Sequence, residues 1–446
     1  MNLQPKYKPR FSVTSNQAIS SMRQNMLVDG FDVVVDLDRS HGSFFVDART
    51  GTEYLDFFSC IASMPIGLNH PKMTDPAFVE YLGTVALNKL SNSDIYSEAM
   101  ATFVKTFFEI AVPKPFVYSF FIEGGALAVE NAIKAAIDWK VRKNFRNGWR
   151  SERGHKVIHF QGAFHGRSGY TMSLTNTDPT KTDLFPKFDW PRISHPSLQF
   201  PISDAEITRV TELEDLAVRQ IKNAFQQNPD DIACIVLEPI QGEGGDRYVR
   251  KEFLQQLRTL ADENQALLIF DEVQTGVGIT GHWWAHQEYG VTPDIMVFGK
   301  KMQVCGIIST NRIDDVPDNV FHTPSRINST WGGNLTDMAR VTRYLEIIDE
   351  EKLVQNAATQ GTYLHNKVLE LQSKLGNTIS NVRGLGLYRA FDLPDTATRN
   401  AFLSNVLKQG VIMVGSGQRT VRFRPPLNIS SEEINIGIER IAHALS

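Results

Sequence analysis

Residues 232–273 contain, in order, "IACIVLEPI" (232–240), "RKEFLQQLRTLADEN" (250–264) and "ALLIFDEV" (266–273). The first and third are short, nearly continuous apolar runs. The second places its apolar residues at helical spacing. An apolar strand, an amphipathic helix and a second apolar strand within about 40 residues form a βαβ unit, and strands apolar on both faces belong to a sheet covered on both sides. The same alternation extends outward. "FVYSFF" (116–121) is read as a strand, "ALAVENAIKAAIDWK" (126–140) as a helix, and "KVIHF" (156–160) and "DIMVFGKKM" (294–302) as further strands. The fold class is therefore α/β, with a mostly parallel sheet in a large domain.

Beyond residue 336 the pattern changes. A long helical stretch (338–375) is followed by the strands "LGLYRAFDL" (385–393) and "TVRFRPP" (420–426) among further helices, which reads as a smaller α+β domain. Ahead of the large domain, about 30 residues read as a surface arm. "SFFVDART" (43–50) and "EYLDFFS" (53–59) then alternate around a turn as a hairpin does. The expected division is 1–75 for the arm and a hairpin packing with the small domain, 76–335 for the large domain, and 336–446 for the small one.

A chain of 446 residues exceeds one compact core. A net charge of −4 leaves no electrostatic footprint for nucleic acid or an anionic membrane. The three cysteines, Cys60, Cys234 and Cys305, are too few and too scattered for a disulfide framework. With no apolar leader at the N-terminus and no run of membrane-spanning length, the expectation is a cytoplasmic protein.

Three features at predicted strand ends carry the chemistry. Gly124 and Gly125 lie between a strand and a helix, where free backbone N–H groups bind phosphate; alone, they fit a simple tight turn equally well. Asp271 and Glu272 end the strand "LLIFD", where ligands of parallel sheets collect. Lys300 and Lys301 follow the strand "DIMVF", and buried lysine is costly unless paired or used. A phosphate cradle, a carboxylate and a lysine together match pyridoxal phosphate (PLP), which carries a phosphate, a ring nitrogen that a carboxylate keeps protonated, and an aldehyde that condenses with lysine.

The motifs "GLNHP" (67–71), "EGGALAVENAIKAA" (123–136), "FHGRSGYT" (164–171), "LEPIQGEGG" (237–245), "DEVQTG" (271–276) and "NSTWGGN" (328–334) fall in this order from about Phe57 to the C-terminus. In this the chain resembles the class III (omega) aminotransferases of PLP fold type I. The broad family has Phe and Arg after "DEVQTG" where this chain has Val277 and Ile279. It has small residues after its Schiff-base lysine where this chain reads "FGKKMQVCG" (298–306). Both departures resemble the members that transfer the ε-amino group of L-lysine to 2-oxoglutarate.

The resemblance implies roles by position. Lys300 is the Schiff-base lysine and general base, and Lys301 points to solvent or a local partner. Gly125 and Ala126 meet the cofactor phosphate, Phe164 stacks on its ring, Asp271 holds the ring nitrogen, and Gln274 lies near the phenolic oxygen. Thr330 reaches the phosphate of the neighbouring subunit, so a homodimer with cofactor sites at its interface is implied. Arg167 is implied to bind the far carboxylate of the substrate, and Asn328 is carried over as substrate-binding. Glu243 is implied to mask Arg422 while lysine is bound and to free it for the α-carboxylate of 2-oxoglutarate, with Gly242, Gly244 and Gly245 allowing the movement. Read from the residues alone, Glu243 and Arg422 fit a solvated loop acid and a surface cation as well.

Other readings compete. Gly276, Gly278 and Gly281 in "GVGITG" spell a dinucleotide fingerprint after a strand, with Asp294 as a ribose acid, but Asp271 and Glu272 would repel a pyrophosphate. His282 and His286 have the spacing of metal ligands, without a glutamate between them or a third ligand. An interaction protein that had lost its chemistry would not need Lys300, Asp271 and Gln274. Within the class, ornithine or 4-aminobutyrate is the rival donor, with pocket depth set by the loop "CIASMPIGLNHP" (60–71).

Overall fold

A computed structural model describes Tyr7 and residues 9–445, the side chain of Asn377 excepted. Its centre is a seven-stranded sheet. The order across it is Phe116–Ile122, Cys305–Thr310, Ile295–Phe298, Leu267–Asp271, Ile232–Leu237, Lys156–Phe160 and Arg192–Ile193. Cys305–Thr310 runs antiparallel to both its neighbours, and the pairs from Ile295–Phe298 to Arg192–Ile193 are parallel.

Successive side chains of these strands enter different cores. Leu267, Ile269, Ile295 and Val297 pack with Ala128, Ala132, Ala136 and Trp139 of the helix Gly125–Arg146. Leu268, Phe270, Met296 and Phe298 pack with Phe253, Leu254 and Leu257 of the helix Lys251–Glu263. The period of two along a strand thus explains why these runs are apolar at every position. Both sheet faces are covered.

Ser380–Leu385, Tyr388–Asp392, Thr420–Phe423 and Val414–Ser416 form an antiparallel four-stranded sheet. Phe44–Val46 and Glu53–Asp56 make the expected hairpin, and Val411–Ile412 adds to it in parallel. Three sequence expectations change. "IACIVLEPI" is not one strand: it ends at Leu237, and Ile240–Gln241 pairs instead with Arg247–Tyr248. "LGLYRAFDL" is a turn at Gly386 followed by a strand. At Gly386, φ is +50° and a Cβ would lie 2.4 Å from the backbone carbon of Thr280. The 338–375 stretch is two helices, Leu335–Glu350 and Leu353–Leu375, divided where Lys352 takes φ +54°. Among the described residues no helix is long and apolar enough to cross a membrane.

Candidate active site

Parallel strands end on the same side of a sheet, so residues far apart in sequence converge there. A cavity of about 380 Å³ is lined by Gly125, Ala126, Phe164, Arg167, Asp271, Gln274 and Lys300, as the sequence anticipated. Glu243 also borders it, with His165, Glu238, Val273 and Cys305, whose parts sequence reasoning had not assigned. Asn328 and Thr330 do not line it. Both are exposed on a loop where the Ser91 hydroxyl donates to the Thr330 carbonyl at 2.6 Å.

Alternation at the end of Leu267–Asp271 separates the two acids. Asp271 faces the cavity, its Oδ2 2.8 Å from His165 Nδ1 and its Oδ1 accepting from the Val273 amide at 3.1 Å. Glu272 turns away and accepts from the backbone of Ala285 and His286 and from Thr275, a structural task. Burial opposes the charged form of His165, but its hydrogen bond to Asp271, with the charges of Asp271 and Glu238, outweighs burial and raises its pKa. Burial pushes Glu238 up to about 7. Its two oxygens accept from the amides of Phe164 and Gly242, each at 3.0 Å, tying the ring-side loop to the loop that carries Glu243. His165 could have been found from "FHGR"; nothing local marked Glu238.

The two lysines part company. Lys300 adopts φ +50°, a conformation costly for a non-glycine residue and characteristic of functional sites, and borders the cavity. Burial, then Arg422 and Arg424, lower its pKa to about 8. Lys301 does not reach solvent. It is buried and donates to the carbonyls of Gln274 at 2.9 Å and Ala62 at 3.3 Å. Ala62 ends a left-handed turn, Ser59–Ala62, with φ between +45° and +60°. The Asp56 carboxylate, accepting from Phe58 and Ser59, holds its other end. Lys301 therefore fastens that strained turn and the Gln274 segment to the backbone beside Lys300. Since the free amine is the nucleophile, Lys300 of the cofactor-free protein should capture added pyridoxal phosphate at a rate that rises with pH to about 8 and levels off above it. Visible absorbance after mixing measures this; a rise continuing to the ordinary lysine range near 10.4 would show an unperturbed amine.

Gln274 is oriented by its surroundings. Its Oε1 accepts from the Tyr388 hydroxyl at 2.8 Å and from Arg424 Nη2 at 3.1 Å. Arg424 is itself buried, paired with Asp246 at 2.5 Å and stacked 3.3 Å from the Tyr388 ring. The amide nitrogen of Gln274 is left to donate.

Glu243 and Arg422, 179 positions apart, meet: Arg422 Nη2 lies 3.3 Å from Glu243 Oε2. Arg422 is buried, and among the described residues its Nε and Nη1 have no hydrogen-bond partner. Two of the glycines around Glu243 are also required by close packing, and Gly245 takes φ +120°. A Cβ on Gly242 would lie 2.4 Å from Gln274 Oε1, and one on Gly244 2.1 Å from the Gly162 carbonyl oxygen. The Gly417 amide donates to the Glu243 carbonyl at 2.9 Å, so the backbone is pinned and the freedom of Glu243 lies in its side chain.

The residues present fit pyridoxal phosphate. Gly124, at φ +99°, precedes a 22-residue helix whose first residues, Gly125 and Ala126, line the cavity, where its free amides would suit a phosphate. Asp271 would supply a buried carboxylate for a protonated ring nitrogen, Gln274 a donor for a phenolate, and Lys300 an amine of lowered proton affinity. The dinucleotide reading fails, because Gly276 packs where a Cβ would lie 2.4 Å from Trp284 and the next helix, His286–Tyr289, has four residues. His282 and His286 pair separately, with Glu288 at 2.9 Å and Glu272 at 3.0 Å.

This fold and site define a pyridoxal-phosphate enzyme of fold type I. The class-III aminotransferase family profile matches residues 28–445, and the chain belongs to that family. It is 51% identical to the L-lysine-epsilon aminotransferase of Mycobacterium tuberculosis, over 97% of this chain and 96% of that one. It is 48% identical to the protein of the same name from Streptomyces clavuligerus, over 96% and 93%. The solved lysine aminotransferase of M. tuberculosis superposes with a TM-score of 0.95 at 51% identity, covering 97% of this chain and 99% of that one.

Proposed function

We propose that this aminotransferase moves the ε-amino group of L-lysine to 2-oxoglutarate, forming 2-aminoadipate 6-semialdehyde and L-glutamate by a ping-pong sequence. The observation that carries the reading is the masked arginine. An unmasked Arg422 would seize the α-carboxylate of lysine and direct transfer to the α-amine. With Glu243 upon it, lysine enters with its carboxylate far from Lys300, within reach of Arg167. Among the described residues Arg167 makes no hydrogen bond or ion pair, and its planar fork suits a carboxylate. The two unpartnered nitrogens of Arg422 await the α-carboxylate of 2-oxoglutarate once Glu243 withdraws.

The bound cofactor supplies an electron sink for the carbon that loses its proton. Lys300, as a free amine, would take that proton from Cε of lysine and deliver it to the cofactor carbon. Asp271 would hold the positive charge at the ring nitrogen, and His165 orients Asp271. Phe164, which lines the cavity, would cover the ring face and exclude water.

Leu87, Ile95, Tyr96 and Trp331 are large apolar side chains left exposed. Residues 91–93 hydrogen-bond to 329–333, which places several of these groups close together. Such a patch suits a subunit interface, and a homodimer formed there would present Thr330 and Asn328 to the partner's site.

An absorption spectrum taken before and after adding L-lysine without 2-oxoglutarate tests the donor. The visible band should bleach with lysine and only weakly with ornithine or 4-aminobutyrate; a band that ignores lysine but answers another amine would move the substrate. Glu243→Ala should slow the lysine half-reaction more than the glutamate half-reaction in stopped-flow absorbance. Equal losses would rule out masking.

A further inference from the structure

Glu243 has a second cation. Lys181 Nζ lies 2.5 Å from its Oε1, closer than Arg422 lies to Oε2 at 3.3 Å. The two contacts use different oxygens of one carboxylate. Lys181 ends a short turn, Pro179–Lys181, and its ammonium also stands 5.5 Å from the centre of the Phe164 ring. Burial raises the pKa of Glu243, but Arg422 and then Lys181 outweigh it, leaving the carboxylate ionised.

Glu243 also separates two cavities. On one side is the cofactor cavity. On the other lies a larger space of about 810 Å³, bordered by Lys181, Arg247, Arg399 and Asp178. Among the described residues the Arg247 side chain makes no hydrogen bond or ion pair, and the Arg399 side chain bonds only to Asn400 and the Gly417 carbonyl. This second space is basic, and Glu243 borders both.

We propose that Lys181 is a specificity-determining residue that receives Glu243 when it leaves Arg422, on the side of the basic cavity; this rests on the masking proposed above. Breaking a buried ion pair on one side leaves a charge without compensation. Here the carboxylate keeps Lys181 as it rotates off Arg422, while the incoming dicarboxylate compensates the arginine. Neither charge is stranded, so one site alternates between a masked and an unmasked arginine with its backbone fixed. Lys181 acts through Glu243 and not on substrate, which makes it a positioning residue.

The test is binding of glutarate, a dicarboxylate that cannot react, to the holoenzyme by calorimetry, beside the two half-reactions. Lys181→Met leaves Glu243 with Arg422 as its main counterion. Glutarate should bind about 10-fold more weakly, kcat/KM for 2-oxoglutarate should fall about as much through KM, and the lysine half-reaction should stay within about threefold, because without Lys181 the carboxylate off Arg422 loses its main counterion whereas the carboxylate on Arg422 keeps one. Lys181→Arg should restore binding. In a Glu243→Ala background, where glutarate binds more tightly, adding Lys181→Met should change nothing, since the two act as one unit. Unchanged glutarate binding in Lys181→Met overturns the proposal. A 10-fold loss that persists without Glu243 also overturns it, by showing that Lys181 grips the substrate itself. If Glu243→Ala fails to tighten glutarate binding, masking falls and this proposal with it. Wild-type enzyme that prefers another amine would overturn only the donor, because the glutarate comparisons do not involve it.

Discussion

Lys300→Ala should lower turnover by about 10⁴-fold, the upper end of what a positioned general base contributes, because no other amine reaches the same point. Lys301, its neighbour in sequence, is committed to the carbonyls of Gln274 and Ala62. The variant should fold, since alanine removes a buried amine at the edge of a cavity and leaves the strand Ile295–Phe298 intact. Borohydride treatment followed by mass spectrometry should find cofactor fixed to the wild-type protein and none fixed to the variant. Turnover within tenfold of wild type would mean that Lys300 is not the base. Persistent covalent attachment would point to a second lysine.

Asp271→Asn should cost on the order of 10²–10³-fold in kcat, comparable to removing a single charge-stabilising group aimed at a reacting centre. Asparagine preserves length and can still accept from the Val273 amide, as Asp271 Oδ1 does at 3.1 Å. What it lacks is the negative charge that holds a proton on the ring nitrogen and the attraction that raises the pKa of His165. The loss should therefore fall on kcat and leave KM for lysine within a few-fold. The pKa of His165, followed by NMR, should drop in the same variant. An unchanged kcat would remove Asp271 from the chemistry. An unchanged His165 would show that the pair does not act as one.

The large sheet was legible because its signals are local. Runs such as "LLIF" (267–270) and "IMVF" (295–298) are apolar at every position because they are covered on both faces, and a sheet residue's two faces are visible in its immediate neighbours. The same locality explains the errors. "LGLYRAFDL" has a strand's composition throughout, yet Gly386 must pass within 2.4 Å of another backbone and becomes a turn. The glycines at 242 and 244 read as hinges without their close packing showing, because hinges and close approaches share one residue type.

Sequence alone determined the α/β class, the order of strands and helices, and, through its ordered motifs, the family and the positions Gly125, Ala126, Phe164, Asp271, Gln274 and Lys300 that border one cavity. Tertiary structure decided what each group faces. It sends Asp271 toward the cavity and Glu272 toward a loop, buries Lys301 under a left-handed turn, sets Glu238 between two loops, and joins Glu243 to Arg422 across 179 positions and to Lys181 across 62. The reason is physical. Burial pattern and turn chemistry depend on a few neighbouring residues, whereas a charge is stabilised by whatever the folded chain brings within a few ångströms, and that partner leaves no periodicity in the sequence.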